Sequence, residues 1–166
     1  MTVAPTIKGR GLRLRAHRIE DMAAFEAFYG SPRAAHMDVP VNRTHLWYGF
    51  ASEAGSWSLC GYGGWTIEVE GALAGQVALT QPPHFPELEL GWMVFDGFEG
   101  RSIAYEAASL ARDYSFDAIG AETFVSCIDR KNLRSIALAE RLGATVDPLA
   151  ETYDDADIVY RHRRAA

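Results

Sequence analysis

Cysteine is scarce in this 166-residue chain: Cys60 and Cys127 are the only two. They are too few and too far apart for a disulfide framework or a thiolate metal site, and they suit a reducing, cytoplasmic setting. Long apolar runs are missing as well. No segment approaches the roughly 18 apolar residues of a membrane helix, and the N-terminus, MTVAPTIKGRGLRLRAHR, has no apolar leader core, so no membrane partner is expected. Positive charge is in deficit, with 16 Lys plus Arg against 22 Asp plus Glu and a net charge of −6, so a broad nucleic-acid footprint is not expected. A cationic or amine-bearing small substrate is compatible with that balance. The five histidines, His17, His36, His45, His84 and His162, show no metal-ligand spacing; they are expected at the surface or in loops, and no metal is assigned.

What is present is enough for one core. With 48% hydrophobic and 11% aromatic residues, the length fits a single domain over 1–166. GLRLR at Gly11 to Arg15 alternates as a half-buried edge strand with its arginines outward. Residues 19 to 29 carry Ile19, Met22, Phe25 and Phe28 at helical spacing, stopped by Gly30-Ser31-Pro32. A second helix follows Asn42, carries Leu46, Trp47 and Phe50, and is expected to end before Gly55. GWTIEVEG and ALAGQVALT read as a hairpin turning at Glu70-Gly71, and Pro82, Pro83 and Pro86 enforce a loop. A third strand begins at Glu87, with Leu88, Leu90, Trp92 and Val94 on one face, Glu87 and Glu89 on the other, and Gly91 as a place for a bulge or close approach. A helix with Ile103, Ala107, Leu110 and Tyr114 in one stripe, a strand AETFVSCID, a helix from about Asn132 to Leu142 stopped by Gly143, and strands near Ala144–Val146 and Ile158–Arg163 complete the chain. The order β-α-α-β-β-β-α-β-α-β-β implies an α+β fold, a mixed and mostly antiparallel sheet flanked by about four helices.

The segment from Glu87 to Gly143 carries the chemistry. An apolar strand, ELELGWMVF, feeds the turn DGFEGRSIAYEA and a helix N-terminus, where backbone N–H groups and the helix dipole can hold an anion such as a pyrophosphate. Downstream, NLRSIALAERLGA places Asn132 and Ser135 three residues apart at the start of a second helix.

ELGWMVF, then GRSIAYEA, then N-x-x-S with a terminal RLGA, in that order, resemble the GNAT superfamily of acyl-CoA N-acyltransferases, and within it the branch with ribosomal-protein alanine N-acetyltransferases. The resemblance covers about Leu12 to Val146. It implies a GNAT-like fold and acetyl-CoA as acyl donor, its pantetheine arm along the strand at Trp92, Met93 and Val94 and its pyrophosphate on Glu99, Gly100, Arg101, Ser102, Ile103 and Ala104. It also implies a homodimer. Against the family's phosphate loop, Q/R-x-x-G-x-G/A, the chain departs at Glu99 and Ser102. Ser102 in place of glycine is tolerable if it is already helical, whereas Glu99 repels a pyrophosphate unless it points to solvent or pairs with a cation. Arg101 would add a charge-assisted contact.

Acetyl transfer to an amine needs a base, oxyanion donors and a proton source for the leaving thiolate. Glu87 and Glu89 are the candidate bases, and Glu89 is preferred because similar enzymes carry a glutamate two residues before this strand's glycine. The resemblance associates N-x-x-S with the cofactor's sulfur end, which makes Ser135 the candidate acid and Asn132 a cofactor-orienting amide; read without it, the pair is a helix cap and an exposed serine. A tyrosine that many relatives carry seven residues after this Asn is replaced by Ala139. Cys127 reads as core filler, the tryptophans mostly as core, and Glu151 to Asp157 first as a solvated loop and second as a run that attracts a cationic acceptor. Arg130, Lys131 and Arg134 read equally as partners of a 3′-phosphate or as a solvated basic helix end. The expected function is an N-acetyltransferase acting on a primary amine, a protein N-terminus or a small molecule, by direct ternary-complex transfer. Its rivals are a non-catalytic acyl-CoA-binding or regulatory module of the same fold and a transferase of a larger acyl group such as succinyl. Acceptor choice is expected to lie in the loops near residues 30 to 45 and 80 to 87.

Overall fold

The computed structural model describes residues 3–164. Its elements are β1 (Ile7–Lys8), β2 (Arg13–Arg15), α1 (Met22–Tyr29), α2 (Arg43–Cys60), β3 (Gly64–Val69), β4 (Ala72–Thr80), β5 (Glu89–Val94), α3 (Ile103–Tyr114), β6 (Thr123–Asp129), α4 (Leu133–Arg141), β7 (Thr145–Val146) and β8 (Asp157–Arg163). The strands form one sheet in the order β1-β2-β3-β4-β5-β6-β8-β7. Every neighbouring pair is antiparallel except β5 and β6, which α3 connects as a crossover. The expected α+β order is present with one added strand, β1, which takes the edge position and moves GLRLR inward.

That shift corrects the reading of the arginines. Arg15 is buried at 6% exposure, and its guanidinium pairs with Asp21 and Glu68 while Arg13 meets Glu68 from the rim. A buried guanidinium is tolerable only with such partners. His17 and His162 are also interior: the His17 side chain is 1% exposed and stacks on Phe50, and His162 lies on Phe124 with Nε2 at 3.0 Å from Ser126 Oγ. α2 runs through Gly55, where no proline interrupts it, to Cys60 and stops where Gly61 takes the left-handed conformation.

Three apolar clusters hold the layers. α3 lays Ile103, Ala107 and Ala111 on the face formed by Trp65, Ile67, Val77, Leu79 and Leu90. Ala107 and Ala111 are fully buried, so small side chains set how closely α3 approaches the sheet, and an added isobutyl group there would overpack at about 1–3 kcal/mol. α1 and α2 pack Phe25, Phe28, Leu46 and Phe50 on the opposite side with Met93 and Phe95. α4 seats Ala139 against Ile128 and Tyr160.

The hairpin turn falls where the sequence places it, with Glu70 and Gly71 both at positive φ, 51° and 83°, as a type I′ turn requires. The irregularity expected at Gly91 lies elsewhere. β3 and β4 slip register after Ile67, and at Gly75 a Cβ would lie 2.2 Å from the Met93 carbonyl oxygen, whereas nothing lies within 4 Å of a Cβ at Gly91.

Candidate active site

β5 pairs with β4 along its whole length, from Thr80↔Glu89 to Gly75↔Val94. On its other side it pairs with β6 only at Glu89↔Val125. Beyond that point the strands part. The Leu88 and Leu90 carbonyls face the β6 side, accepting from Val125 N–H at 3.0 Å and from Ser126 Oγ at 2.6 Å, so alternation turns the polar backbone groups of Trp92 and Val94 to the same side, where β6 no longer meets them.

Two cavities meet at this gap. One is a cleft of about 990 Å³, lined by Trp92, Met93, Val94, Glu99, Gly100, Ser102, Ile103 and Ala104 on one wall and by Lys131, Asn132, Arg134, Ser135 and Arg141 on the other. The second, about 290 Å³, holds Glu89, Cys127, Tyr153 and Asp157. His36, Met37, Trp92, Asn132 and Ser135 line both, so the two spaces open into one another beside Trp92.

Asn132 caps α4, its Oδ1 accepting from the Ser135 N–H at 3.2 Å. The Ser135 hydroxyl accepts from the Trp92 indole N–H at 3.2 Å across the gap. The bland cap reading of Asn132 therefore holds, while Ser135 is half-buried and aimed at β5.

The two candidate bases are now separable. Glu87 is bidentate to Arg161, at 2.7 and 2.8 Å, and that bond holds its carboxyl below the usual range. Glu89 is 9% exposed, pairs with no cation among the described residues and meets Cys127 alone, accepting a long bond, 3.4 Å, from its N–H and a contact from its thiol. Burial pushes its pKa up to about 7. Cys127 faces the small pocket rather than filling the core, and burial followed by the Glu89 charge lifts its thiol to about 12, so it stays protonated.

The phosphate turn departs from expectation at Ser102 and Arg101, and at Glu99 it takes one of the two arrangements that relieve repulsion. Ser102 is not helical: it is the N-cap of α3 in the left-handed region, φ 58° and ψ 14°, where the family's glycine would sit without strain. It makes no side-chain cap bond, so the first-turn N–H groups of α3, which have no intrahelical acceptor, are not capped by it either. Glu99 is ion-paired to Arg33, whose Nε and Nη2 also donate to the Val94 carbonyl at 3.2 and 2.9 Å. Its carboxyl is held below the usual range by its own backbone N–H and by Arg33. Arg101 lies over the Phe98 ring at 5.7 Å and does not line the cleft. Arg33 and Arg141 were missed by sequence reasoning; Arg33 lies 66 residues from Glu99, a distance at which no local pattern operates.

The loop at residues 30 to 45 lines the small pocket through His36, Met37 and Asp38. Residues 80 to 87 do not. Phe85 instead stacks on Tyr153, centroids 4.3 Å apart, and the acidic run expected to be a solvated loop supplies the other rim with Asp154 and Asp157.

The sequence matches the acetyltransferase (GNAT) domain model over residues 11–145. Among solved structures, an acetyltransferase from Agrobacterium tumefaciens is 37% identical with a TM-score of 0.94, the alignment covering 97% of this chain and 95% of that one. RimL, a ribosomal alpha-N-protein acetyltransferase in complex with coenzyme A, is 18% identical at TM-score 0.76, with 96% and 98% covered. A GNAT-family acetyltransferase from Bacillus anthracis is 16% identical at TM-score 0.72, with 95% and 96% covered. These last two likenesses are of fold.

Proposed function

This chain belongs to the GNAT acetyltransferase family and is an N-acetyltransferase, and we propose that its large cleft takes acetyl-CoA while the small pocket presents a primary amine to it. The observation that carries this reading is the parting of β5 from β6 after Glu89, which leaves a strand edge unpaired where the two cavities join. RimL, of the same fold, is described in complex with coenzyme A.

When bound, acetyl-CoA supplies an acetyl group activated as a thioester. The N–H and C=O of Trp92 and the N–H of Val94, whose carbonyl already accepts from Arg33, suit the amides of a pantetheine arm, and the N–H groups opening α3 suit a pyrophosphate. Arg33 neutralises Glu99, which removes the objection to a carboxylate at that turn, and Lys131, Arg134 and Arg141 add positive charge along the opposite wall. Glu89 accepts the proton that the amine nitrogen loses as its bond to the acetyl carbon forms. Ser135 donates its hydroxyl proton toward the leaving sulfur and regains one from solvent. Trp92 donates to the same oxygen, which orients the hydroxyl proton away from the indole and eases its loss. The carboxylates around the reacting end disfavour an acyl group with a second carboxylate, so acetyl is favoured over succinyl.

The test is calorimetric titration of the protein with acetyl-CoA, followed by thiol release in the presence of a panel of amines. Binding with amine-dependent thiol release is expected. Binding without turnover across the panel would instead favour a regulatory acyl-CoA-binding role.

A further inference from the structure

The small pocket is charged in a way that amine transfer alone does not require. Beyond Glu89, its lining includes Asp38, Asp129, Asp154 and Asp157. Asp129 is paired with His36 at 2.8 Å, and the exposed Asp154 carboxylate accepts, among the described residues, from the backbone N–H of Ala156 at 2.8 Å. Asp38 and Asp157 form no ion pair among the described residues, and Glu89, nine-tenths buried and facing into the cavity, has none either. The cations that might have met them are committed or displaced. Arg161 of β8 is taken by Glu87 and Asp147, and Arg130 is solvent-exposed, acting on Asp157 only at a distance. Burial first, and then the neighbouring Asp154, Asp38 and Asp129, push the Asp157 carboxyl up to about 6.

Asp38 and Asp154 are exposed and keep their water, whereas Asp157 is half-buried and Glu89 buried, and carboxylates gathered there repel one another until a ligand supplies the counter-charge. One protonated amine is not enough, because the nitrogen that reacts must be neutral at Glu89. We infer that the acceptor carries a second positive group a few bonds from its reacting nitrogen, an ammonium or guanidinium seated between Asp38, Asp154 and Asp157 while the reacting amine lies at Glu89. A cavity of about 290 Å³ holds a short aliphatic diamine, or the first residues of a peptide with a basic second position, but no folded surface. This rests on the acetyltransferase reading of the same pocket.

The experiment compares matched pairs on the full chain with coenzyme A present: 1,4-diaminobutane against 1-aminobutane, and Gly-Arg amide against Gly-Leu amide, by calorimetric binding and, with acetyl-CoA, by thiol release. The dicationic member of at least one pair should bind about tenfold or more tighter at low salt, with the gap narrowing as salt screens the rim. Which pair shows the gap tells a free diamine from a basic peptide. In Asp157→Asn with Asp38→Asn the dication-to-monocation ratio should fall several-fold, the change lying in KM rather than kcat. Ratios within twofold of one in both pairs would overturn the inference. Selective binding of dications with no thiol release from any amine would defeat the transferase reading and leave the charge inference standing.

Discussion

The Trp92 indole N–H donates to the Ser135 hydroxyl at 3.2 Å, joining β5 to the first turn of α4 across the gap between the two cavities. An indole can only donate, so the serine oxygen must accept and its own proton stays free for another partner. Ser135→Ala should lower kcat about 100-fold and leave the Kd for acetyl-CoA within a few-fold. Trp92→Phe keeps the ring but removes the donor, and should give a smaller loss in kcat. Steady-state kinetics with calorimetry checks both. An unchanged kcat in Ser135→Ala would remove the serine from the chemistry.

Glu89 predicts a pH dependence with a definite sign. Its carboxyl titrates near 7 in the folded protein, so the competent carboxylate is gained as pH rises through that value. kcat should rise with pH on a limb centred near 7, and Glu89→Gln should abolish that limb with a loss of about 100-fold or more. Stability runs the other way. A carboxyl whose pKa is raised by folding costs stability above its ordinary pKa of 4.5 and costs it fully above about 7. Glu89→Gln should therefore raise Tm at pH 8 and leave it nearly unchanged at pH 4, read by thermal denaturation.

Arg33 and Glu99 should behave as a pair. With Arg33 present, Glu99→Gln should change acetyl-CoA affinity little, because the charge it removes is already met. Arg33→Ala strips the partner and leaves a carboxylate at the phosphate turn, so affinity should fall about tenfold. Combining the two substitutions should recover part of that loss, a coupling that calorimetry of the four proteins measures. Equal losses in the single and double variants would show that Arg33 acts on its own.

Much of this site is local in sequence and was legible there. The β5 alternation, the turn before α3 and the N-x-x-S start of α4 are each short patterns whose period or capping chemistry fixes them, and they account for the wall from Trp92 to Ala104 and for Asn132 and Ser135. What escaped depends on contacts between distant segments. Alternation puts Glu89 and Glu87 on one face, and only the family resemblance preferred Glu89; the physical difference between them comes from Arg161, 74 residues from Glu87. Arg15 looked like a surface arginine because nothing in GLRLR announces that β1 would take the edge and that Asp21 and Glu68 would enclose it. The acidic run from Glu151 read as solvent because its role depends on β8 returning beside β6, opposite the parted β5.

The enclosed arginine yields a stability prediction. Burial opposes ionisation of Asp21, but bonds from Arg15, the Arg18 N–H and Thr66 outweigh it and hold the carboxyl below its ordinary 3.8. Its stabilisation is present above that pH and is lost as pH falls through the lower, folded value. Asp21→Ala leaves Arg15, with a side chain 7% exposed, to Glu68 and the Ala16 carbonyl and should cost about 3 kcal/mol at neutral pH. Asp21→Ala should also flatten the acid limb of the denaturation profile below pH 4. A loss under 1 kcal/mol would mean that Glu68 suffices.

Ser102 tests whether the departure from glycine in the phosphate turn carries a cost. At φ 58° an L-residue is strained by about 1–2 kcal/mol, and glycine is not. Glycine also frees the unfolded chain, which opposes the gain by roughly 0.4–1 kcal/mol. Ser102→Gly should therefore be neutral to about 1 kcal/mol stabilising, whereas Ser102→Val, with a branched Cβ forced into the same region, should lose stability and acetyl-CoA affinity together. The backbone N–H groups that open α3 stay in place in Ser102→Gly, so its acetyl-CoA affinity should remain within about threefold of the parent. A larger loss in Ser102→Gly, at unchanged Tm, would assign the serine hydroxyl itself to the bound phosphates, because neither strain nor chain entropy acts on affinity without acting on stability.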